Sequence, residues 1–585
     1  MPDIVSPRKL WDAIDASDRA CEVARKIRAE SIREFAGPFY NSLDPSQPRP
    51  LNLINRGASV LVAHLMGALP RHEVTSKLFA FRGTAKMTTI KLDRLADELD
   101  RVAFSRMMIL DALMGPASFC RCGIRAGNDM HLLAGKQYDR GQPYHRRIDF
   151  DNWVGDPAAK ERMAMRWEGE RYSISRALAR EVFGEGIDRV RSISDGAGTD
   201  RTGSESVSGF DRTDDDNFVV DEVELLDIAI YNDDVTYVVT LPGDREGFSG
   251  IEDDMGSILR VVEHQGSERG PFHSLCFFPV PNNLLGVSWA SLVRDSSMIA
   301  SSIMNKLTDQ ALNAKQLGLV GPEVSDEELK AANNAPDRSF IRFKNPGSIL
   351  PFDLGKISAD VMRFLDPVMG WWNIGSGNTD VLGGAEGSDK TATEYSGMAA
   401  NANTVMEDMR RTHHAFEEGI SRDLMWQIHH DPFMNEVLPY RVAGTEGLEV
   451  EYSYATREGD FDDFVMRIRP GTMGAQDPNV RVRRLVEFLS LFMPAGAVNP
   501  IAAAKVFGEQ AGIEQAEEML IDPMAMMEQE ATYGTVPPDG QGQPGQQTEQ
   551  PGYVNPPQGG GGGTSNNKTT GLGNVRGAMA TGVGA

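Results

Sequence analysis

The sequence predicts an α+β protein, mostly helical, that ends in a tail too polar to build a core. Three observations carry that prediction. Apolar residues recur three, four or seven apart along several long stretches. Short alternating runs rich in β-branched and aromatic residues gather between about residues 117 and 278. From about Gly534 onward Pro, Gly, Gln and Asn dominate, including the run Gly559 to Gly563, so residues 534–585 are expected to be disordered.

In chain order, Pro7 after Ser6 opens a helix expected to stop at Gly37-Pro38, and a second runs from Ile54 to Met66 before Leu69-Pro70. Leu92, Leu95, Leu99, Val102, Ile109 and Leu113 form one stripe, read as a single third helix ended by Gly115-Pro116. Ala117–Ile124 and Gly141–Ile148 read as strands, and Asp156-Pro157 as the cap of a further helix. Ser192–Asn217 is rich in Ser, Gly and Asp and is expected to be an exposed or disordered loop. Its Asp214-Asp-Asp216 run reads as solvated, because acidic metal sites need carboxylates fixed by a scaffold. Val223–Tyr231 and Val235–Leu241 flank Asn232-Asp-Asp234 as a hairpin, and Ile258–Glu263 and Leu275–Phe278 add strands.

The central stretch, about Leu285–His430, organises the rest. Ser288 is a candidate N-cap for a helix whose apolar face carries Trp289, Leu292, Ile299, Ile303, Leu307 and Ala311. Gly318 to Pro322 stops it, Ser325–Lys330 reads as a short capped helix, and Ser339–Lys344 and Ile349–Phe352 read as short strands about Asn345-Pro-Gly347. A second helix from Ser358 to about Met369 places Val361, Phe364, Leu365 and Val368 on one side, with Pro367 expected to kink or end it. A Gly-rich loop follows, and from Thr393 a helical pattern runs through Val405, Met409, Phe416, Ile420, Leu424 and Ile428 to His430, about 55 Å at 1.5 Å per residue. Leu438–Val442 and Leu448–Tyr454 read as returning strands, and a helical module starts at Asp477-Pro478.

Composition narrows the function. With 84 acidic against 59 basic residues the formal charge is -25, which argues against ordinary duplex binding, where phosphate contacts need Lys and Arg. The four cysteines, Cys21, Cys120, Cys122 and Cys276, are too few for a disulfide framework, and Cys120-x-Cys122 reads as a buried pair on one strand face. No window of eighteen uncharged apolar residues and no apolar leader is seen, so the chain is expected to be neither secreted nor membrane-spanning. Gly384 to Thr391 mimics a phosphate-binding loop, but Asp389 stands where that motif has Gly before its Lys. His413-His414 and His429-His430 lack the His-Glu-x-x-His spacing, and no nucleophile elbow occurs. The chain reads as non-enzymatic, with no cofactor and no metal.

The order of helix after Gly-Val-Ser288, polar excursion, second helix, Gly-rich loop with Leu382-Gly-Gly384, and long helix resembles the core of the portal proteins, the head-to-tail connectors of tailed bacteriophages. The stretch before and through Asp149-Phe-Asp-Asn-Trp153 is similar to the wing of podovirus-type portals. The resemblance implies a portal-type fold with wing, stem, clip and crown: wing 1–283, first stem helix 284–316, clip 317–355, second stem helix 356–370, tunnel loop 371–393, long wing helix and returning strands 394–475, and helical crown 476–533. It implies a homo-oligomeric ring, a dodecamer, at a capsid vertex, assembled in the host cytoplasm and carried in the virion. Such a ring is the conduit for DNA packaging and ejection. Its partners would be a terminase packaging motor, tail adaptor proteins, capsid protein and scaffold, and double-stranded DNA in the channel, with no membrane. Trp371, Trp372, Asn373, Gly383, Gly384 and Lys390 would be DNA-proximal in the tunnel loop. Glu323, Asp326, Glu327, Lys330, Arg338, Arg342 and Lys344 would meet partners at the clip, and Trp289, Leu292, Ile299, Ile303, Leu307 and Phe364 would form the stem interface. Another large non-enzymatic virion or scaffold subunit is the alternative, and a nuclease of a packaging complex a distant third.

Overall fold

Helix α1 (Pro7–Ala36) starts at a proline, whose fixed φ suits a first helical turn and whose missing N–H is no loss there. The computed structural model describes residues 7–37, 51–125, 130–133, 136–139, 141–192, 221–232, 235–243, 258–267, 270–313, 315–320, 325–327, 330, 349–354, 359–383, 392–433, 435–440, 448–453, 456–469, 473, 486–487 and 489–490. The chain divides into two units, Met1–Ile513 and Glu514–Ala585, and the described residues all belong to the first. The loop expected at Ser192–Asn217, the crown and the tail lie almost wholly outside them.

The first unit is an α+β assembly. Leu10, Trp11 and Ile14 of α1 pack on an antiparallel five-stranded sheet ordered β10-β9-β8-β7-β6: β6 (Trp153–Gly155), β7 (Trp167–Ser175), β8 (Glu222–Tyr231), β9 (Thr236–Pro242) and β10 (Arg260–Glu263). Charges fix α1 in register. Asp18 accepts from Arg25 (3.0 Å) and Arg171 (2.6 Å), and Arg28 donates to Asp149 (2.9 Å). Burial pushes the Asp18 carboxyl up, but Arg171 and Arg25 more than offset it and hold it below its usual range. The expected β8–β9 hairpin is present, with Ile228 opposite Val239.

A second antiparallel sheet, ordered β11-β2-β5, is built from β2 (Ser118–Arg125), β5 (Gln142–Ile148) and β11 (Phe272–Leu275). The helix expected after Asp156 does not form. Asp156 instead accepts from the Ala158 N–H (3.0 Å) and binds Arg166 (2.6 Å), closing a turn that leads to one 3-10 turn at Arg162–Ala164 and then into β7.

The helical layer holds the largest core. α2 (Leu53–Leu65) is capped by Asn52, whose Oδ1 accepts from the Asn55 N–H at 3.0 Å. The single helix expected over residues 92–113 is two, α3 (Arg82–Glu98) and α4 (Arg101–Met114). Asp100, at φ 46°, breaks the chain there and caps α4 through the Ala103 N–H. The apolar stripe resumes in phase after the break, which is why the periodicity alone reads as continuous. α6 (Trp289–Asn313), α7 (Ala359–Ser376), α8 (Thr379–Leu382) and α9 (Ala392–His430) follow α5 (Arg176–Phe183), with α9 running 39 residues as expected. Leu61, Leu92, Ile109, Trp289, Trp372 and Ile420 are buried in this one core. β1 (His72–Ser76) pairs with β16 (Phe464–Ile468), and β14 (Asn435–Tyr440) with β15 (Leu448–Ser453).

α9 ends under Arg457, whose guanidinium donates to the carbonyls of Ile428, His429 and Asp431, the acceptors a helix terminus leaves unpaired. His429 sits there against the Phe464 and Phe461 rings. Burial first, then His430 and Arg457, lowers its pKa to about 4 from 6.5. An unfolded chain therefore takes up a proton that the folded chain refuses as pH falls between those values, so this contribution to stability is complete above about pH 6.5 and is lost toward pH 4. Urea midpoints measured at pH 7 and pH 4.5 are expected to differ more for the native chain than for His429→Asn.

Candidate functional site

The helix pair α6 and α7 is where sequence and structure together concentrate unusual surface. Ser288 caps α6 as expected, its Oγ accepting from the Ser291 N–H at 3.1 Å. α6 ends at Asn313, and Lys315–Val320, expected to finish that helix and enter the clip, is strand β12. β12 pairs antiparallel with β13 (Ile349–Leu354), Leu317 opposite Phe352, so the excursion leaves and returns through a two-stranded ribbon. The return strand was legible in the sequence and its partner was not, because the Gly318 and Gly321 punctuation reads as a stop rather than as a strand.

At the opposite end, Trp289 at the start of α6 meets Trp372 near the end of α7 edge to face, with ring centroids 6.0 Å apart. The helices therefore run antiparallel, closed at one end by the tryptophans and at the other by the ribbon. Gly57 of α2 makes room for both rings: a Cβ there would lie 2.7 Å from Trp289 Cη2 and 3.3 Å from Trp372 Cζ2. On its polar side α6 is tied to α1, Arg294 binding Glu34 at 3.0 Å and Glu30 at 2.6 Å.

Three expectations about this region are corrected. Pro367, expected to kink or end α7, does not end it, and the helix continues to Ser376. Pro367 is exposed, so the carbonyl it deprives of a donor can reach water. Trp371, Trp372 and Asn373 are accordingly helical and not loop, because Val361, Leu365, Val368 and Trp372 continue one stripe at spacings of four, three and four. Trp372 is 1% exposed and belongs to the core, not to a channel wall. The chain turns only at Gly377 (φ 78°) and Asn378 (φ 58°), then makes α8, whose Leu382 carbonyl lies 3.0 Å from His64 Nε2. Gly383 is exposed at that end, whereas Gly384 and Lys390 lie outside the described residues.

The expected stem residues divide in two. Trp289 (2% exposed) and Ile303 are buried, and Leu307 packs against the same core, so these three belong to the chain's own interior. Leu292 (53%), Ile299 and Phe364 (48%) are exposed, with Trp371 and Ile374 beside them in α7. Leu292 and Ile299 lie seven apart, as do Phe364 and Trp371, whose rings touch edge to face at 6.2 Å. Each row flanks its own helix's buried stripe in the same rotational sense. Of the clip residues, Asp326, Glu327 and Lys330 are exposed, and Glu323, Arg338, Arg342 and Lys344 lie outside the described residues.

Elsewhere, polar side chains converge under α9. Glu417, fully buried, binds Arg101 at 2.8 Å, accepts from Ser105, and lies 3.4 Å from His413. Burial pushes its carboxyl up, but Arg101, His413 and Ser105 more than offset that and hold it well below the usual range. Cys122, His273 and Asp423 bring potential ligand atoms within 4.8 Å of one another, the one such group among the described residues. Sequence spacing could not find it, since Cys122 and Asp423 are three hundred residues apart. No described helix is long and apolar enough to cross a membrane. No protein-family model matches the chain, and no curated protein matches it in sequence.

Gly57→Ala tests the tryptophan closure. Alanine is the better helix former by about 0.5–1 kcal/mol, yet its methyl group meets Trp289 at a distance real contacts do not reach. Net destabilisation of about 1–3 kcal/mol is expected in chemical unfolding.

Proposed function

We propose that the chain is a portal-type ring subunit, a non-enzymatic conduit for DNA packaging and ejection at a phage capsid vertex. One observation carries the reading: an antiparallel helix pair bears a ribbon-based excursion at one end and leads into a 39-residue helix at the other, while each of its helices keeps an exposed apolar row. Leu292, Ile299, Phe364, Trp371 and Ile374 exceed what single scattered apolar surface residues explain, and copies of the same chain in a closed ring would cover them. In this reading the tunnel loop begins after α8, in the stretch that starts at Gly383 and contains Lys390. The excursion between β12 and β13 is the docking platform for the packaging motor and, later, for tail adaptors. The net charge of -25 suits a channel in which phosphates must slide rather than stick. A dodecamer in the virion is the assembly this reading carries.

Leu292→Asp and Phe364→Asp separate assembly from folding, since both side chains are exposed in the single chain. Sedimentation velocity is expected to show a large discrete assembly for the parent and monomers for each variant, with far-ultraviolet circular dichroism unchanged, because a charge buried in a hot spot weakens each contact by about 2–4 kcal/mol. Assemblies of unchanged size in both variants would remove α6 and α7 from the subunit interface.

A further inference from the structure

Cys120 and Cys122 alternate with Arg121 along β2 and so share one face of the β11-β2-β5 sheet. His273, directly opposite Cys120 across the β2–β11 ladder, lies on that same face. α9 covers it, and Gly419 lets the imidazole approach the helix backbone: a Cβ at Gly419 would lie 3.0 Å from His273 Nδ1. One turn further along α9, Asp423 places Oδ2 2.6 Å from His273 Nε2. The Cys122 Sγ lies within 4.8 Å of the ligand atoms of both His273 and Asp423. One thiol, an imidazole and a carboxylate from three distant parts of the chain thus meet in the interior, and a second thiol, Cys120, stands on the same sheet face two residues from Cys122; Cys120 is 0%, Cys122 2%, Asp423 5% and His273 9% exposed.

We infer that Cys122, His273 and Asp423, with Cys120 as fourth donor, form a structural zinc site that fastens α9 to this sheet. Sulfur, nitrogen and oxygen donors in this combination select zinc over hard cations, which take oxygen alone. Ligands around a tetrahedral zinc stand about 3.3–3.8 Å apart, so within this 4.8 Å cluster the wider pairs need to close by about an ångström and the 2.6 Å Nε2–Oδ2 pair needs to open by somewhat less, side-chain adjustments rather than backbone ones. An outer partner is in place as well: Ser267 donates its hydroxyl to Asp423 Oδ1, leaving Oδ2 toward His273 and Cys122. An entry path exists in a cavity of about 860 Å³ that His273 lines together with Ser267 and Gly419. With four protein donors the site has no open position, so it is structural and not catalytic.

Metal content of the full-length chain, purified without a histidine tag, tests this. Inductively coupled plasma mass spectrometry is expected to find stoichiometric zinc in the parent and little in Cys122→Ser and Asp423→Asn. Cobalt exchanged into the parent should give the visible bands of a tetrahedral ion and a thiolate-to-cobalt charge-transfer band. Ser267→Ala, which leaves every ligand in place, should weaken zinc about 10–100-fold in competition with a chelating dye. If the ligand variants do not fold, the parent's cobalt spectrum decides alone. A folded parent that carries no zinc, takes up none at micromolar concentration and shows no thiolate–cobalt band overturns the site, and the four side chains are then a hydrogen-bonded cluster only.

Discussion

Glu417 lies fully buried about two-thirds of the way along the 39-residue helix α9, bound to Arg101 and Ser105 of α4. Breaking such a pair by removing one partner costs about 3–5 kcal/mol, because a lone buried charge remains. α9 can therefore seat against α4 in one register only, the one that brings Glu417 to Arg101 and Ser105. That register sets what else α9 touches: β11 and β2 through Gly419 and Asp423, and α2 and α3 through Ile420, Leu424 and Ile428 in the shared core. His72 reinforces it from β1, with Nε2 3.0 Å from the Ser421 hydroxyl. Hydrophobic burial drives the helix down, and the polar contacts choose where it stops.

With α9 fixed, α2 is fixed beneath it, and Gly57 then admits the Trp289–Trp372 pair that closes α6 on α7. The inner stripes of the two helices are consumed by this core, which is why the outer rows remain uncovered. The same division splits the six residues expected at the stem interface: Trp289, Ile303 and Leu307 belong to the chain's own core, and Leu292, Ile299 and Phe364 remain exposed. The functional proposal rests on that separation of inner from outer apolar residues.

How much of this was legible depends on how local the deciding physics is. α1, α2, the β8–β9 hairpin and α9 follow from caps, turn residues and periodicity contained within each segment. The break at Asp100 escaped because the apolar stripe keeps its phase across it, and the run of α7 past Pro367 escaped because tertiary burial of Trp372 outweighs one lost backbone hydrogen bond. β12 escaped because its pairing partner is thirty residues away. In the functional region, the stem stripe was readable but its two-sidedness was not, since exposure depends on what α2 and α4 cover. The Cys122–His273–Asp423 cluster was invisible for the same reason: no spacing rule links residues joined only by a sheet ladder and a crossing helix.

The central claim is that the outer apolar rows of α6 and α7 face other copies of this chain. Single-particle electron cryomicroscopy of the purified full-length protein addresses it most directly. The account predicts a closed, high-order ring with a central channel, with Leu292 and Phe364 at the boundary between adjacent subunits. A monomer, or an assembly in which those two side chains face solvent, would contradict it.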